Sequence, residues 1–338
     1  MTSKSNLVEA FKLIVDEKGS KALKDARAEL LDSTNDDSAV TLALKHFAKV
    51  TLSSAVPVFP SLISLACEAV GGKSEKTALV GKAIILIAGA ADIHDDIIDN
   101  SQIKGSKRTV LGQFGREIAI LTGDVLLVNG LSQLQRECQS LSKTKCQRIF
   151  GLVAQATLEI SKAEGIELEE KGKLSVSPEK LREVLGLKAV VPETCMKIGA
   201  ILGDADESTV DVLGQVGRLF GVASLMVEEF MDLLEIAEFK SRLRNECPPL
   251  PFLCVLRNAQ LKAILMPIVS AKRLSKAKHK EVMEIILGSR EVQALKEEML
   301  NISKNAIQKA CSLRSNRARE QILTLLSALP AYLEVVAV

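Results

Sequence analysis

Long stretches of helical periodicity constrain the fold of this chain more than any other feature of its sequence. Apolar residues recur at three- and four-residue spacing over 76–100, 114–139, 143–165, 178–203 and 208–239, which is the pattern of amphipathic and buried helices. No window alternates apolar and polar residues as a strand does, and neither GxGxxG nor GxxxxGKS/T occurs. The sequence therefore predicts an all-α fold of about ten or more helices, without a dinucleotide-binding or P-loop domain.

Composition excludes several classes of protein. The 338 residues carry 44 Lys and Arg against 42 Asp and Glu, a net charge of +2, so the basic excess of a nucleic-acid binder is missing and we expect no nucleic-acid partner. Seven Cys without a CxxC pair fit reduced thiols, and we expect a cytoplasmic location. The longest apolar run, 83–91, is shorter than the roughly 18 residues of a span, so we expect no transmembrane segment. The chain is expected to form a single domain over 1–338.

Four aspartates near the end of the predicted helix 76–100 form the most informative polar cluster. They are spaced at i, i+3, i+4 and i+7: Asp92, Asp95, Asp96 and Asp99. This spacing places the carboxylates on one helix face, where they repel one another and oppose the helix dipole. A solvated acidic face is the alternative, but the apolar run just upstream predicts a buried helix, in which charges are paired or metal-bound. The cluster therefore indicates a Mg²⁺ site, since Mg²⁺ is bound by carboxylate and phosphate oxygens.

The surrounding sequence resembles a known family. The segment DIHDDIIDNS at 92–101 resembles the first aspartate-rich motif, DDxxD, of the trans-isoprenyl diphosphate synthases, also called polyprenyl synthetases. The likeness covers roughly residues 45–270, and the linker that follows the motif is most similar to archaeal members. Further similar segments are EAVGG at 68–72, GQFGREIAILTGDVLL at 112–127, GLKA at 186–189, GAILG at 199–203, VEEFMD at 227–232 and PPLP at 248–251.

The resemblance implies an all-α isoprenoid synthase bundle with a central cavity between two acidic helices. Asp95, Asp96 and Asp99 would bind Mg²⁺ that holds an allylic prenyl diphosphate. Glu228, Glu229 and Asp232 occupy the position of the second DDxxD and would bind Mg²⁺ from the opposite side; an exposed acidic turn is the alternative. The metal would draw off diphosphate, and isopentenyl diphosphate would attack the allylic cation in a cavity that excludes water.

Several cations would contact the diphosphate according to the same resemblance. Lys188 lies on a mostly apolar helix, which favours an anion contact over a random surface lysine, and it is expected to act with Asp95 and Asp96 in catalysis. The other candidates for substrate binding are Lys104, Arg108, Arg242 and Arg244. Arg242 and Arg244 could instead form surface ion pairs with Glu238 and Glu246. The resemblance also implies assembly as a homodimer or a heterodimer.

The sequence departs from the family pattern at the segment that grips isopentenyl diphosphate. The family's GGKRxRP segment aligns with 54–60, where Val56, Pro57 and Phe59 replace the cations. Apolar side chains cannot replace charge-assisted hydrogen bonds to a diphosphate. Three interpretations stay open: an active chain-elongating prenyltransferase, a prenyltransferase with another acceptor, and a non-catalytic regulatory or scaffolding subunit.

Product length is a further prediction if the protein elongates chains. The turn before the first aspartate contains only Gly89, Ala90 and Ala91, so it presents no aromatic floor to a growing chain. Each added methylene is worth about 0.8 kcal/mol of burial, which favours products of about C20 or longer. Close packing of a neighbouring helix is the alternative reason for small residues here.

Overall fold

The structure is a computed structural model that describes residues 4–32, 36–271 and 274–336. Within these ranges the α-helices are α1 (Lys4–Asp32), α2 (Ala39–Val50), α3 (Val58–Ala69), α4 (Thr77–Asp99), α5 (Val110–Phe114), α6 (Arg116–Cys138), α7 (Lys143–Glu170), α8 (Pro178–Lys188), α9 (Val190–Leu202), α10 (Glu207–Leu234), α11 (Ile236–Asn245), α12 (Leu250–Leu256), α13 (Ala259–Val269), α14 (Lys276–Leu287), α15 (Arg290–Ala310) and α16 (Arg317–Val336). A short 3₁₀ turn, Ser74–Lys76, precedes α4, and the two-residue strands β1 (Ile103–Lys104) and β2 (Lys107–Arg108) form a hairpin after it. The prediction of an all-α fold is confirmed.

Helix boundaries follow local chemistry that the sequence displays. Serine side chains accept a hydrogen bond from the backbone N–H three residues later at the start of α2, α7, α8, α14 and α15, as N-caps do. The predicted helix 178–203 is two helices, because α8 ends before Ala189 and α9 follows at once. Pro192 explains this break: its ring would clash with the carbonyl of Lys188 in a continuous helix.

The helices pack around α4, α9 and α10. Helix α4 lies along α6, while α9 lies between α3 and α10. Glycines permit the closest approaches. A Cβ on Gly199 of α9 would lie 2.2 Å from the Ile63 carbonyl oxygen of α3, and one on Gly89 of α4 would lie 2.8 Å from the Phe47 ring. Such dense packing fixes the positions of α4 and α10, whose C-terminal halves carry the two acidic sets.

Among the residues that the structure describes, three helices meet the length and apolar composition of a membrane span, so the expectation that no segment is long and apolar enough is corrected. They are α4, α6 and α10, because an 18-residue window tolerates isolated polar residues that a search for uninterrupted apolar runs does not. Within the bundle, 56% of the apolar window of α4, 39% of that of α6 and 56% of that of α10 is buried. The buried faces of these helices contact other helices of the same chain.

Candidate active site

A cavity of about 210 Å³ lies where α4, α7, α8, α10 and α11 meet. Among the described residues, eight carboxylates line it, against three cationic side chains. The acidic residues are Asp95, Asp99, Glu164, Glu167, Glu228, Glu229, Asp232 and Glu246, and the cationic residues are Lys171, Lys188 and Arg242. So large an excess of partly desolvated negative charge favours the binding of cations from solution. We call this space the charged cavity.

The first acidic set divides between two environments. Asp95 and Asp99 line the charged cavity. Asp92 and Asp96 instead contact Lys104 of the hairpin, whose Nζ lies 2.7 Å from Asp92 Oδ1 and 2.9 Å from Asp96 Oδ1. The second contact is close, but it lacks the alignment of a hydrogen bond, since Asp96 Oδ1 accepts none from the described residues. Asp96 is buried, so Lys104 is its counter-ion and the structure does not bring Asp96 into the cavity with Asp95 and Asp99.

Crowding and burial raise the carboxyl pKa values in this region. Burial, with Asp95 and Glu246 nearby, raises the pKa of Asp99 from 3.8 to about 8, although Lys171 Nζ lies 4.0 Å away. Burial also raises the pKa of Asp96 to about 6 against the effect of Lys104. Each raised pKa means that the ionised form is disfavoured without a further cation.

Lys188 stands at the C-terminal end of α8 and faces the charged cavity. Its Nζ lies 2.8 Å from Glu164 Oε1 and also pairs with Glu167, both on α7. Burial alone would lower the pKa of Lys188, but the two carboxylates outweigh it and raise the pKa. Lys188 is therefore a charged group that is already paired, and a bound anion would compete with Glu164 and Glu167 for it.

The second acidic set is arranged around Arg242. Its guanidinium donates to Glu229 Oε1 at 2.8 Å and also pairs with Asp232. Glu228, by contrast, is exposed to the lumen of the charged cavity. The surrounding protein still desolvates its carboxyl group, and with Asp232 nearby its pKa rises to about 7. Only Glu228 of this set thus projects a carboxylate into the lumen without a cationic partner among the described residues.

A larger apolar cavity of about 540 Å³ adjoins the charged one. This volume falls within the roughly 300–1,000 Å³ of sites that enclose small molecules. Residues that line both spaces are Asp95, Ile98, Glu164, Leu168 and Lys188. The walls come from α3, α4, α6, α7 and α9, and they include Phe59, Ile84, Ile87, Ala90, Ala91, Leu127, Val153, Ala156 and Ile160. The arrangement can hold an anionic head in one cavity and an apolar chain in the other.

Three of the predicted phosphate-binding cations lie elsewhere. The first, Lys104, pairs with Asp92 and Asp96 and lines neither the charged nor the apolar cavity as the structure describes them. Arg108 is exposed on β2, where its Nη1 donates to the Gly112 carbonyl at 3.4 Å. Arg244 is exposed beside a separate pocket of about 180 Å³. Arg242, two residues earlier on α11, faces the charged cavity instead. Neither Arg108 nor Arg244 lines the charged or the apolar cavity as the structure describes them.

Sequence reasoning missed the contribution of α7. Glu164, Glu167 and Lys171 all line the charged cavity, and Glu246 joins them after α11. A signal was available: Thr157, Ile160, Ser161, Glu164, Leu168 and Lys171 recur at three- and four-residue spacing, and all six line one of the two cavities. This stripe passes from neutral to charged residues along one helix face.

The segment that departs from the family pattern lies beside the apolar cavity. Phe59 forms part of its wall. Pro57 packs so closely against α1 that a Cβ on Gly19 would lie 2.3 Å from its carbonyl oxygen, and Val56 is 60% exposed. None of these side chains can donate a hydrogen bond to a phosphate oxygen.

The donor chemistry of the charged cavity fits Mg²⁺. Among the described residues no three His, Cys, Asp or Glu side chains already converge as a metal site. Mg²⁺ does not need such a set, because it is held by one or two carboxylates together with water and substrate phosphate. Asp95 and Asp99 face the cavity from α4, and burial with nearby carboxylates raises the pKa of Asp99 to about 8 despite the proximity of Lys171. Oxygen donors of this kind suit a hard divalent ion.

The fold and the paired cavities define an all-α bundle of the isoprenoid synthase type. A model of the polyprenyl synthetase family matches residues 57–300, and the chain belongs to this family. It is 28% identical to a short chain isoprenyl diphosphate synthase of Methanothermobacter thermautotrophicus over 63% of this chain and 65% of that one, slightly under two thirds of the relative's length. It is 24% identical to heptaprenyl diphosphate synthase component 2 of Bacillus subtilis over 76% of this chain and 72% of that one.

A solved structure supports the same fold. The geranylgeranyl pyrophosphate synthetase of Pyrococcus horikoshii superposes with a TM-score of 0.81, covering 95% of this chain and 98% of that one at 22% identity. The predicted isoprenoid synthase bundle and the predicted family are thereby confirmed. The roles of the individual site residues stay predictions.

Proposed function

We propose that this protein is a divalent-metal-dependent prenyltransferase that binds and ionises an allylic prenyl diphosphate. The observation that carries the proposal is the junction of the charged cavity with the apolar cavity, which matches the two ends of such a substrate. The names of the relatives support it, since the curated ones are prenyl diphosphate synthases.

Asp95 and Asp99 are the residues proposed to hold Mg²⁺, with Glu228 facing them across the charged cavity. When bound, the metal neutralises negative charge on the departing diphosphate. Lys188 and Lys171 supply fixed positive charge at the same cavity. The apolar walls formed by Ile84, Ile87, Ala90 and Ala91 bind the prenyl chain and exclude water from the reacting carbon.

Chain elongation with isopentenyl diphosphate is the proposed reaction. A second candidate is transfer to an acceptor without a diphosphate, and a specific observation favours it: the cations lining both cavities are each paired with carboxylates or carbonyls, and Phe59 stands where the family has a cation. Among the described residues of the site, a second diphosphate would therefore meet few cationic side chains that are not already paired with a carboxylate or a carbonyl.

A product assay tests the proposal. The protein is incubated with Mg²⁺, radiolabelled isopentenyl diphosphate and allylic primers, and extended prenyl chains are separated by chromatography. Labelled chains from the wild type, and none from Asp95→Asn/Asp99→Asn, are the expected result. Release of inorganic diphosphate from the primer without labelled chains would favour the other acceptor. Neither product nor diphosphate release, with the primer still bound, would favour a non-catalytic subunit.

Assembly and location belong to the same proposal. We propose a homodimer or a heterodimer, and the relative named as component 2 of a synthase supports assembly with a second subunit. A cytoplasmic location follows from the reduced-thiol interpretation of the seven cysteines. Light scattering after size-exclusion chromatography measures the mass of the assembly, and a monomeric mass would contradict the dimer.

A further inference from the structure

Arg242 is a buried cation fixed by several partners. It lies in the last turn of α11 and is 6% exposed. Its Nε donates to the Cys247 carbonyl oxygen at 2.7 Å and lies 3.3 Å from Glu246 Oε2, while its two terminal nitrogens contact Glu229 and Asp232. The planar guanidinium can satisfy these partners together because its five donors spread in one fork.

Glu229 has both of its oxygens engaged inside the protein. Oε1 accepts the hydrogen bond from Arg242 Nη2, and Oε2 accepts one at 2.6 Å from the Leu250 backbone N–H at the start of α12. The side chain is buried. Glu229 therefore links α10 to α11 and α12, and each of its oxygens is already held by a donor from the protein.

We propose that Arg242 is the resident cation of the second acidic set and that it replaces a divalent metal at Glu229 and Asp232. A metal at these two carboxylates would have to displace a guanidinium that also holds the Cys247 carbonyl. Glu228 is then the one member of the set whose carboxylate remains available to a metal ion in the charged cavity. Within the polyprenyl synthetase family this chain would carry a protein-derived positive charge where the motif pattern predicts a second metal centre.

Arg242→Gln provides the direct test, with Arg244→Gln as the matched control. Arg244 is exposed and lies two residues away on the same helix. Bound Mn²⁺ is counted by electron paramagnetic resonance in the presence of inorganic pyrophosphate. Removal of the guanidinium frees the carboxylates of the set, so Arg242→Gln should bind one more Mn²⁺ per chain than the wild type, while Arg244→Gln should equal the wild type. An unchanged Mn²⁺ count in folded Arg242→Gln would overturn the proposal.

Asp232→Asn keeps Arg242 and tests the same claim even if Arg242→Gln does not fold. The proposal expects the wild-type Mn²⁺ count in this variant, because Asp232 holds no metal. A loss of Mn²⁺ from Asp232→Asn would overturn it. This inference rests on the proposed function, which places a metal ion at Asp95 and Asp99 of α4. The Mn²⁺ counts test the two claims separately. Absence of Mn²⁺ from the wild type would refute that metal, whereas the role of Arg242 is judged by the difference between Arg242→Gln and the wild type.

Discussion

Replacing Asp99 by asparagine should stabilise the ligand-free protein, and the gain should grow with pH. The folded-state pKa of Asp99 is about 8, against an ordinary value of 3.8. The native state therefore holds this proton more tightly than the unfolded chain does. Linkage then requires that stability falls as the pH rises from about 4 to about 8, because the unfolded chain ionises first. Asparagine cannot ionise and removes this loss.

The magnitude follows from the size of the pKa shift. The interval from pH 6 to pH 9 crosses the raised pKa of Asp99, which lies about two units above pH 6. Each unit of pKa shift corresponds to about 1.4 kcal/mol of unfolding free energy. Solvent in the cavity and the coupled ionisation of neighbouring carboxylates reduce the effect, so we expect a differential loss of about 1–3 kcal/mol. In a chain of this length that loss lowers the melting temperature by about 1–4 °C.

The assay is urea or thermal denaturation of the wild type and Asp99→Asn at pH 6 and pH 9, without metal. Asp211→Asn is the matched control, since Asp211 is exposed on α10. The wild type and the control should lose more stability between the two pH values than Asp99→Asn does. Equal losses in all three proteins would refute the argument. Addition of Mg²⁺ and pyrophosphate should restore the wild type at pH 9 and leave Asp99→Asn unchanged.

Three further substitutions test other parts of the structure. Ala91→Phe should fill part of the apolar cavity and shorten the prenyl product, as measured by chromatography of labelled chains; an unchanged length in a folded variant would place the floor elsewhere. Lys104→Gln leaves the buried Asp96 carboxylate without its cation and, because Lys104 itself is half exposed, should cost about 1–3 kcal/mol in urea denaturation, whereas Lys107→Gln on the exposed strand of the hairpin should be nearly neutral; similar effects would contradict the pairing. Gly199→Ala should destabilise by about 1–3 kcal/mol, because its Cβ would meet a backbone oxygen; Gly151→Ala, with open space around it, should be neutral or stabilising, and the reverse order would refute the packing argument.

The fold could be predicted from local sequence because its signal is local. The apolar periodicity of 76–100 and 114–139 matches α4 and α6 to within two residues at each end. The break at Ala189 was missed although Pro192 was visible, because Pro is also tolerated in the first turn of a helix, as at Pro178. Nothing in the periodicity distinguishes these two uses of Pro.

The site was harder to predict because its contacts are not local. The spacing of the first acidic set identified Asp95 and Asp99, but it could not show that Asp92 and Asp96 pair with Lys104 and do not line the charged cavity. The two arginines of α11 differ by about 200° around the helix axis, so only one can face the cavity. The sequence alone does not fix which of them does, and the structure selects the one that contacts the second acidic set.

The central claim is that the charged cavity binds a metal-bound diphosphate. Calorimetric titration with a thio analogue of farnesyl diphosphate, from which the diphosphate does not leave, tests this claim most directly. Binding should require Mg²⁺ and should be lost in Asp95→Asn/Asp99→Asn. It should be weaker for inorganic pyrophosphate, because the apolar cavity then stays unfilled. Binding of equal strength without Mg²⁺, or undiminished binding by the double variant, would contradict the assignment of the charged cavity to a metal-bound diphosphate.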